Sequence, residues 1–235
     1  MPDGTLEKIS SGDNALGLSH KYAANFVSPI AEIIFKGKER DLQAPITDDG
    51  QVEFVEMNTS RGMQVFVRTL LFLCIVSFHK VRPDVKLEVR NSLGNALYVV
   101  VHSEKPVLEA DLDRVEALMH QCIAAKEPIY YQKITREEAR SCSVKDGNIK
   151  DREGLLDMLP ERQLFTANVL LGYKEYFFGA LLPTIEHIDK FQLIRFEEGF
   201  VINYPSEHHY DVLSPWNPNR RINEIYNEAE SWSAM

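Results

Sequence analysis

The chain has 235 residues, 44% hydrophobic and 26% charged, with a formal net charge of −9. That mixture suits one large globular domain or two small ones. The acidic balance excludes broad nonspecific binding to a polyanion while leaving room for a local basic groove. Cys74, Cys122 and Cys142 form no CxxC pair and read as buried thiols in a reducing compartment. The N-terminus reads as polar with no leader, and the most apolar run, Leu70 to Val76, is far shorter than the roughly 18 residues of a membrane span. A cytoplasmic location with no membrane partner is the expectation.

In chain order, "TLEKI" reads as a short strand and "NALGLSHKYA" as a weak helix. "IAEIIFKG" predicts a strand ending in a turn at Gly37, and "QVEFVEM" alternates as a strand does. After "NTSRGM", Met63 to Phe78 is apolar on nearly all faces and predicts a helix buried on most sides. "KLEVRNSLGNALYVVV" predicts a hairpin turning between Asn91 and Asn95. Asp111 to Lys126 is the clearest helix, with Leu112, Val115, Met119, Cys122 and Ile123 at three- and four-residue spacing and Pro128 beyond its end. "PIYYQKI" is a strand, and "TREEA" opens a helix whose Thr135 and Glu138 can form a capping box. "RQLFTANVLLGY" is a strand, and "FQLIRFEEGFVIN" a hairpin turning at Glu198-Gly199. From Pro205 a polar tail leads to a helix over 219–232, whose Ile222, Ile225, Tyr226 and Trp232 share a partly apolar face.

Several chemical motifs are missing. "FKGKER" lacks the first glycine, the spacing and the hydroxyl of a phosphate-binding loop. The adjacent His208 and His209 point to opposite sides of an extended chain and make a poor chelate, so no metal site is expected. No GxSxG nucleophile elbow is present.

Two stretches carry a resemblance. "MPDGT", "ISSGDNALGLSHKYA" and "GKERDLQAPITDDGQVEFVEMNTSRG" resemble the TGS domain, the ubiquitin-like module that opens threonyl-tRNA synthetases. "LEADLDRVEALMHQCIAAKEPIYYQKITREEA" and "LLPTIEHIDKFQLIRFEEGFVI" resemble the second additional domain of those synthetases, which edits mischarged tRNA. The resemblance implies an α+β fold in two units: a β-grasp TGS-like unit over 1–60 and an editing-like unit over 61–204, followed by a linker and helix over 205–235. The editing site of that family uses an HxxxH helix and a CxGPH loop. Overlay puts Arg68 and Phe72 where the histidines stand, and Phe177 and Leu181 where Cys and His stand, keeping only Gly179. Phenylalanine and leucine can neither ligate a metal nor move a proton.

"YFFGALLPTIEH" and "INEIYNEAESW" also resemble bacterial uridine-kinase-like proteins, which carry both units ahead of a P-loop kinase domain. That resemblance implies a noncatalytic regulatory or RNA- and nucleotide-binding region. Its expected partners are RNA or a nucleotide, the kinase domain of the same chain, and a second copy in a homodimer. No cofactor is expected here, ATP and Mg belonging to the absent kinase domain. The alternative is a hydrolase related to aminoacyl-tRNA editing with a rebuilt site drawn from Lys174, Thr184, Glu186 and His187; a structural or dimerisation module is a third reading. The binding candidates are Arg61, Arg68, Lys80 and Arg82 as anion donors, Tyr173 and Tyr176 as stacking rings, and Thr184 and His187 on the loop.

Overall fold

The computed structural model describes residues 6–10, 13–141, 145–146, 165–177 and 179–217. Among the described residues the fold is mixed α+β with three sheets and four α-helices. The helix expected over 219–232 and Cys142 lie outside the described residues.

The first unit packs α1 (Leu16–Tyr22) on a three-stranded antiparallel sheet of order β2-β1-β3: β1 (Ile30–Phe35), β2 (Lys38–Arg40) and β3 (Val52–Glu56). Lys36 and Gly37, both at positive φ, make the β1–β2 turn. Leu18, Ile33, Phe35, Leu42 and Phe54 form its small core. The expected first strand is absent where described: Leu6 to Ser10 is irregular and Leu6 is solvent-exposed, because no neighbouring strand takes up its backbone groups.

α2 (Ser60–Val81) is the axis of the larger unit. The Thr59 hydroxyl caps it by accepting from Gly62 N at 3.1 Å. By length and composition α2 could cross a bilayer, but most of it is buried inside the fold, as a core helix is. One side packs on a sheet of order β10-β11-β5-β4-β7, formed by β4 (Lys86–Ser92), β5 (Ala96–His102), β7 (Lys145–Asp146), β10 (Gln192–Phe196) and β11 (Gly199–Asn203). Its neighbours run antiparallel except the β4–β7 pair. α3 (Glu109–Ala124) buries the five apolar residues expected of it, in the same core as α2. The third sheet, order β6-β8-β9, contains β6 (Tyr130–Ile134), β8 (Phe165–Leu170) and β9 (Tyr173–Glu175). α4 (Arg136–Ser141) has the expected capping box: Glu138 N donates to Thr135 Oγ1 and Thr135 N to Glu138 Oε2.

One local reading is corrected. The β10–β11 turn sits at Glu197-Glu198, with Glu197 at positive φ, because Gly199 is already paired in β11. A Cβ on Gly199 would lie 1.9 Å from the Val99 carbonyl oxygen, so the glycine serves close strand approach. Where the first unit meets α2 the chain is ordered: Met57 N donates to Pro29 O, Asn58 N to Ser28 Oγ, and the helix begins at once. Residues 205–217 are packed as well, since Trp216 meets the Phe196 ring edge-on and donates to Leu93 O, covering the outer face of the large sheet.

Candidate functional site

The N-terminal half of α2 meets the segment 176–182, which leaves β9 through Tyr176 and Phe177. Phe72 and Phe177 touch, ring centroids 5.3 Å apart at 63°. Arg68 Nη1 donates to Ala180 O at 2.5 Å. A Cβ on Gly179, which has φ +100°, would lie 2.3 Å from that guanidinium nitrogen, so glycine suits both the backbone and the space. Leu181 is buried in the core. The four positions singled out by overlay therefore lie at one place, and aromatic, aliphatic and guanidinium groups occupy it.

Beside this contact a cavity of about 660 Å³ opens. α2 contributes Ser60, Gln64, Val67 and Arg68, the β4–β5 hairpin Asn95 and Leu97, and the end of β9 Glu175, Tyr176 and Phe177. Glu207 and His208 stand in its wall, with His208 Nε2 3.4 Å from Glu207 Oε1. Glu175 is 1% exposed. The lining thus offers one guanidinium, two carboxylates, an imidazole, amides and hydroxyls around apolar walls, an arrangement that binds small polar-headed molecules.

Beneath Arg68 lies a charged cluster shared between the two units. Arg61 pairs with Glu39 at 3.0 Å. Glu32 is 1% exposed and its Oε2 has no hydrogen-bond partner among the described residues. Desolvation pushes its carboxyl up to about 6, Glu39 adding to the rise and Arg68 opposing it. Burial also raises the Asp41 carboxyl, opposed by the Tyr131 hydroxyl and by the Gln43 and Leu181 amides that donate to it. Burial lowers the Arg68 pKa while the surrounding carboxylates oppose the shift.

The four expected anion donors are not brought together. Arg68 alone lines the cavity. Lys80 is twelve residues further along α2, roughly 18 Å at 1.5 Å per residue, and exposed. Arg82 is engaged at the far end of the helix by Asp84 and Asp111, each at 2.8 Å, and by Lys105 O. Arg61 is held by Glu39. Tyr176 lines the cavity and packs edge-on against Phe165. Tyr173 instead lies against His79, centroids 4.8 Å apart.

Thr184, Glu186 and His187 gather at a second cavity of about 400 Å³ between the units, faced by Leu16, Ser19, His20, Leu42 and Gln43. Thr184 Oγ1 donates to Glu186 Oε1 at 3.3 Å, and His187 Nε2 lies 3.6 Å from the same oxygen. Lys126 pairs with Glu186 at 2.9 Å, and this hydrogen bond lowers the Glu186 pKa. A carboxylate held so is a weak general base. Lys174 is exposed on β9 and lines neither cavity. Among the described residues no group of three or more His, Cys, Asp or Glu is placed to hold a metal.

Glu175, Gln64, Glu32 and Asp41 were not foreseen. For Glu175 a signal existed: alternation along β9 puts it on the face of Tyr173, opposite Lys174.

No protein-family model matches the chain. It is 25% identical over 194 residues to threonine–tRNA ligase 1 of Bacillus subtilis, 24% over 194 residues to the threonine–tRNA ligase of Bacillus velezensis, and 24% over 195 residues to that of Symbiobacterium thermophilum. Each match covers 83% of this chain and 30% of the relative. The chain thus spans less than a third of the length of the curated relatives it matches, and it is homologous to threonine–tRNA ligases over most of its own length.

Proposed function

We propose that this chain binds the aminoacylated 3′ end of a tRNA, or a small molecule of that chemistry, in the α2 cavity, and does not cleave it there through the four overlaid positions. The observation that carries the reading is the convergence of Arg68, Phe72, Phe177 and Leu181 beside a cavity large enough for an aminoacyl-adenosine. Homology to threonine–tRNA ligases supports the class of ligand. The lining supports the mode: Glu175 and Glu207 suit an α-ammonium, while Gln64, Asn95 and Ser60 suit hydroxyls and ring nitrogens. With one arginine in the wall, phosphate contacts contribute little, so binding depends weakly on salt.

The test uses a non-hydrolysable 3′-threonylamino-adenosine and its analogue lacking the α-amine, titrated calorimetrically. One molecule binds per chain, the amine-bearing form at least about tenfold tighter, which corresponds to roughly 1.4 kcal/mol. Val67→Phe, which fills the cavity, abolishes binding. Equal affinity of both analogues, or full binding to the filled variant, refutes the reading.

A second reading is hydrolysis of a mischarged tRNA at the inter-unit cavity, favoured by the gathering of Thr184, Glu186 and His187 there. Deacylation that is lost in His187→Ala and retained in Val67→Phe supports this reading over the first. The proposal that a uridine-kinase-like domain follows rests on the sequence resemblance alone; ATP- and Mg-dependent phosphorylation of a nucleoside by the longer chain tests it.

A further inference from the structure

Three consecutive residues just beyond Phe177, which lines the α2 cavity, are held by three side chains from two different units. Arg68 Nη1 donates to Ala180 O at 2.5 Å, Leu181 N donates to Asp41 Oδ2 at 3.2 Å, and Leu182 N donates to Thr69 Oγ1 at 3.0 Å. Arg68 and Thr69 are neighbours on α2, whereas Asp41 follows β2 in the first unit. We infer that Asp41 is a positioning residue for the α2 cavity, through which the first unit fixes the segment carrying Phe177.

The chemistry makes the contact demanding. The Asp41 carboxylate is an acceptor only, and the groups meeting it are donors: Gln43 N at 2.8 Å on Oδ1, Leu181 N on Oδ2, and the Tyr131 hydroxyl. The Gln43 bond is an Asx-turn that fixes the carboxylate on its own loop. From the same loop Gln43 Nε2 donates to Ile129 O at 2.9 Å, so two side chains of one loop in the first unit reach the second. Residues 180–182 belong to no strand, and these three side-chain bonds take up one backbone group of each. Without the Asp41 acceptor, Leu181 N loses its partner in a part-buried setting, and the chain between Phe177 and Leu182 is freed to move away from Phe72.

Asp41→Asn is the direct probe. The amide oxygen keeps the Gln43 bond, but an NH2 group then faces the Leu181 N–H donor. Asp41→Ser is the second probe: it keeps a turn acceptor but cannot reach Leu181. Amide hydrogen exchange is read at Leu181 and Leu182 and, as reference, in β4 and β5. In both variants Leu181 and Leu182 exchange at least about tenfold faster while the reference strands are unchanged, and 3′-threonylamino-adenosine binds at least about fivefold more weakly. The binding measurement rests on the function proposed above; the exchange measurement does not. A wild type that fails to bind the analogue therefore sinks that function and leaves the exchange result to decide this inference. Unchanged exchange at Leu181 overturns the inference, as does unchanged affinity for an analogue that the wild type binds. Global unfolding of both variants also overturns it, because Asp41 then supports the whole fold rather than the segment beside the cavity.

Discussion

The Glu32 carboxyl sits on a strand of the first unit that packs on α2; desolvation raises its pKa, the charges of Glu39 and Asp41 add to the rise, and Arg68 and Arg61 oppose it. Its rise from the usual 4.5 to about 6 has a definite consequence for stability. Below about pH 4.5 the group is protonated folded or unfolded and contributes nothing to the slope. As pH rises through 6 the unfolded chain ionises it freely while the folded chain resists, so stability falls, by roughly 2 kcal/mol in all. Glu32→Gln removes that fall: urea midpoints of variant and wild type coincide near pH 4.5, and the variant is the more stable at pH 7.5. A variant less stable at both pH values contradicts the assignment. This residue was not legible in "IAEIIF". A lone glutamate in an alternating strand reads as the solvent side, but α2 covers the second face, so Ile30, Ala31, Glu32 and Ile33 are all buried. Phe72 and Phe177 were legible as a pair only because a helix and a loop could be overlaid together.

At the scale of elements, the sequence shows most where burial is one-sided. α3 follows its periodicity because one face meets water, while β3 alternates from Val52 to Phe54 and then buries Val55 as well. The elements not foreseen include β7, β9 and β2, the last being three exposed polar residues whose pairing with β1 comes from the Lys36-Gly37 turn rather than from any hydrophobic pattern. α2 is legible as a buried helix, but its start is set by one hydroxyl. Thr59→Ala leaves Gly62 N without its cap and lowers stability by about 1 kcal/mol, measured as a shift in urea midpoint with unchanged m-value. A larger loss with a changed m-value indicates that the first turn has rearranged.

For the molecule as a whole, the division at residue 60 is visible in sequence as a change of pattern, whereas the joint between the units is not. Ala31 and Met57, both fully buried, belong to the core that surrounds α2, so the first unit is not separately closed. Heating therefore gives a single calorimetric transition whose van't Hoff and calorimetric enthalpies agree. Residues 57–62 resist limited proteolysis, since the amides of Met57, Asn58, Thr59 and Gly62 are bonded and the helix begins there. Two transitions, or early cleavage at that point, show instead that the units open independently.

The bond from Asp41 to Leu181 spans 140 positions of sequence, and it also constrains inheritance. A recombination event near residue 58 that joined this first unit to a different second one would bring a carboxylate without its amide, or an amide without its carboxylate. Such a chimera would start with a mismatched contact beside the cavity even if each half were sound. Among functional chains, the residue at 41 and the backbone path at 180–182 are accordingly expected to travel together, so exchange of modules is disfavoured at the very boundary where the sequence looks most divisible.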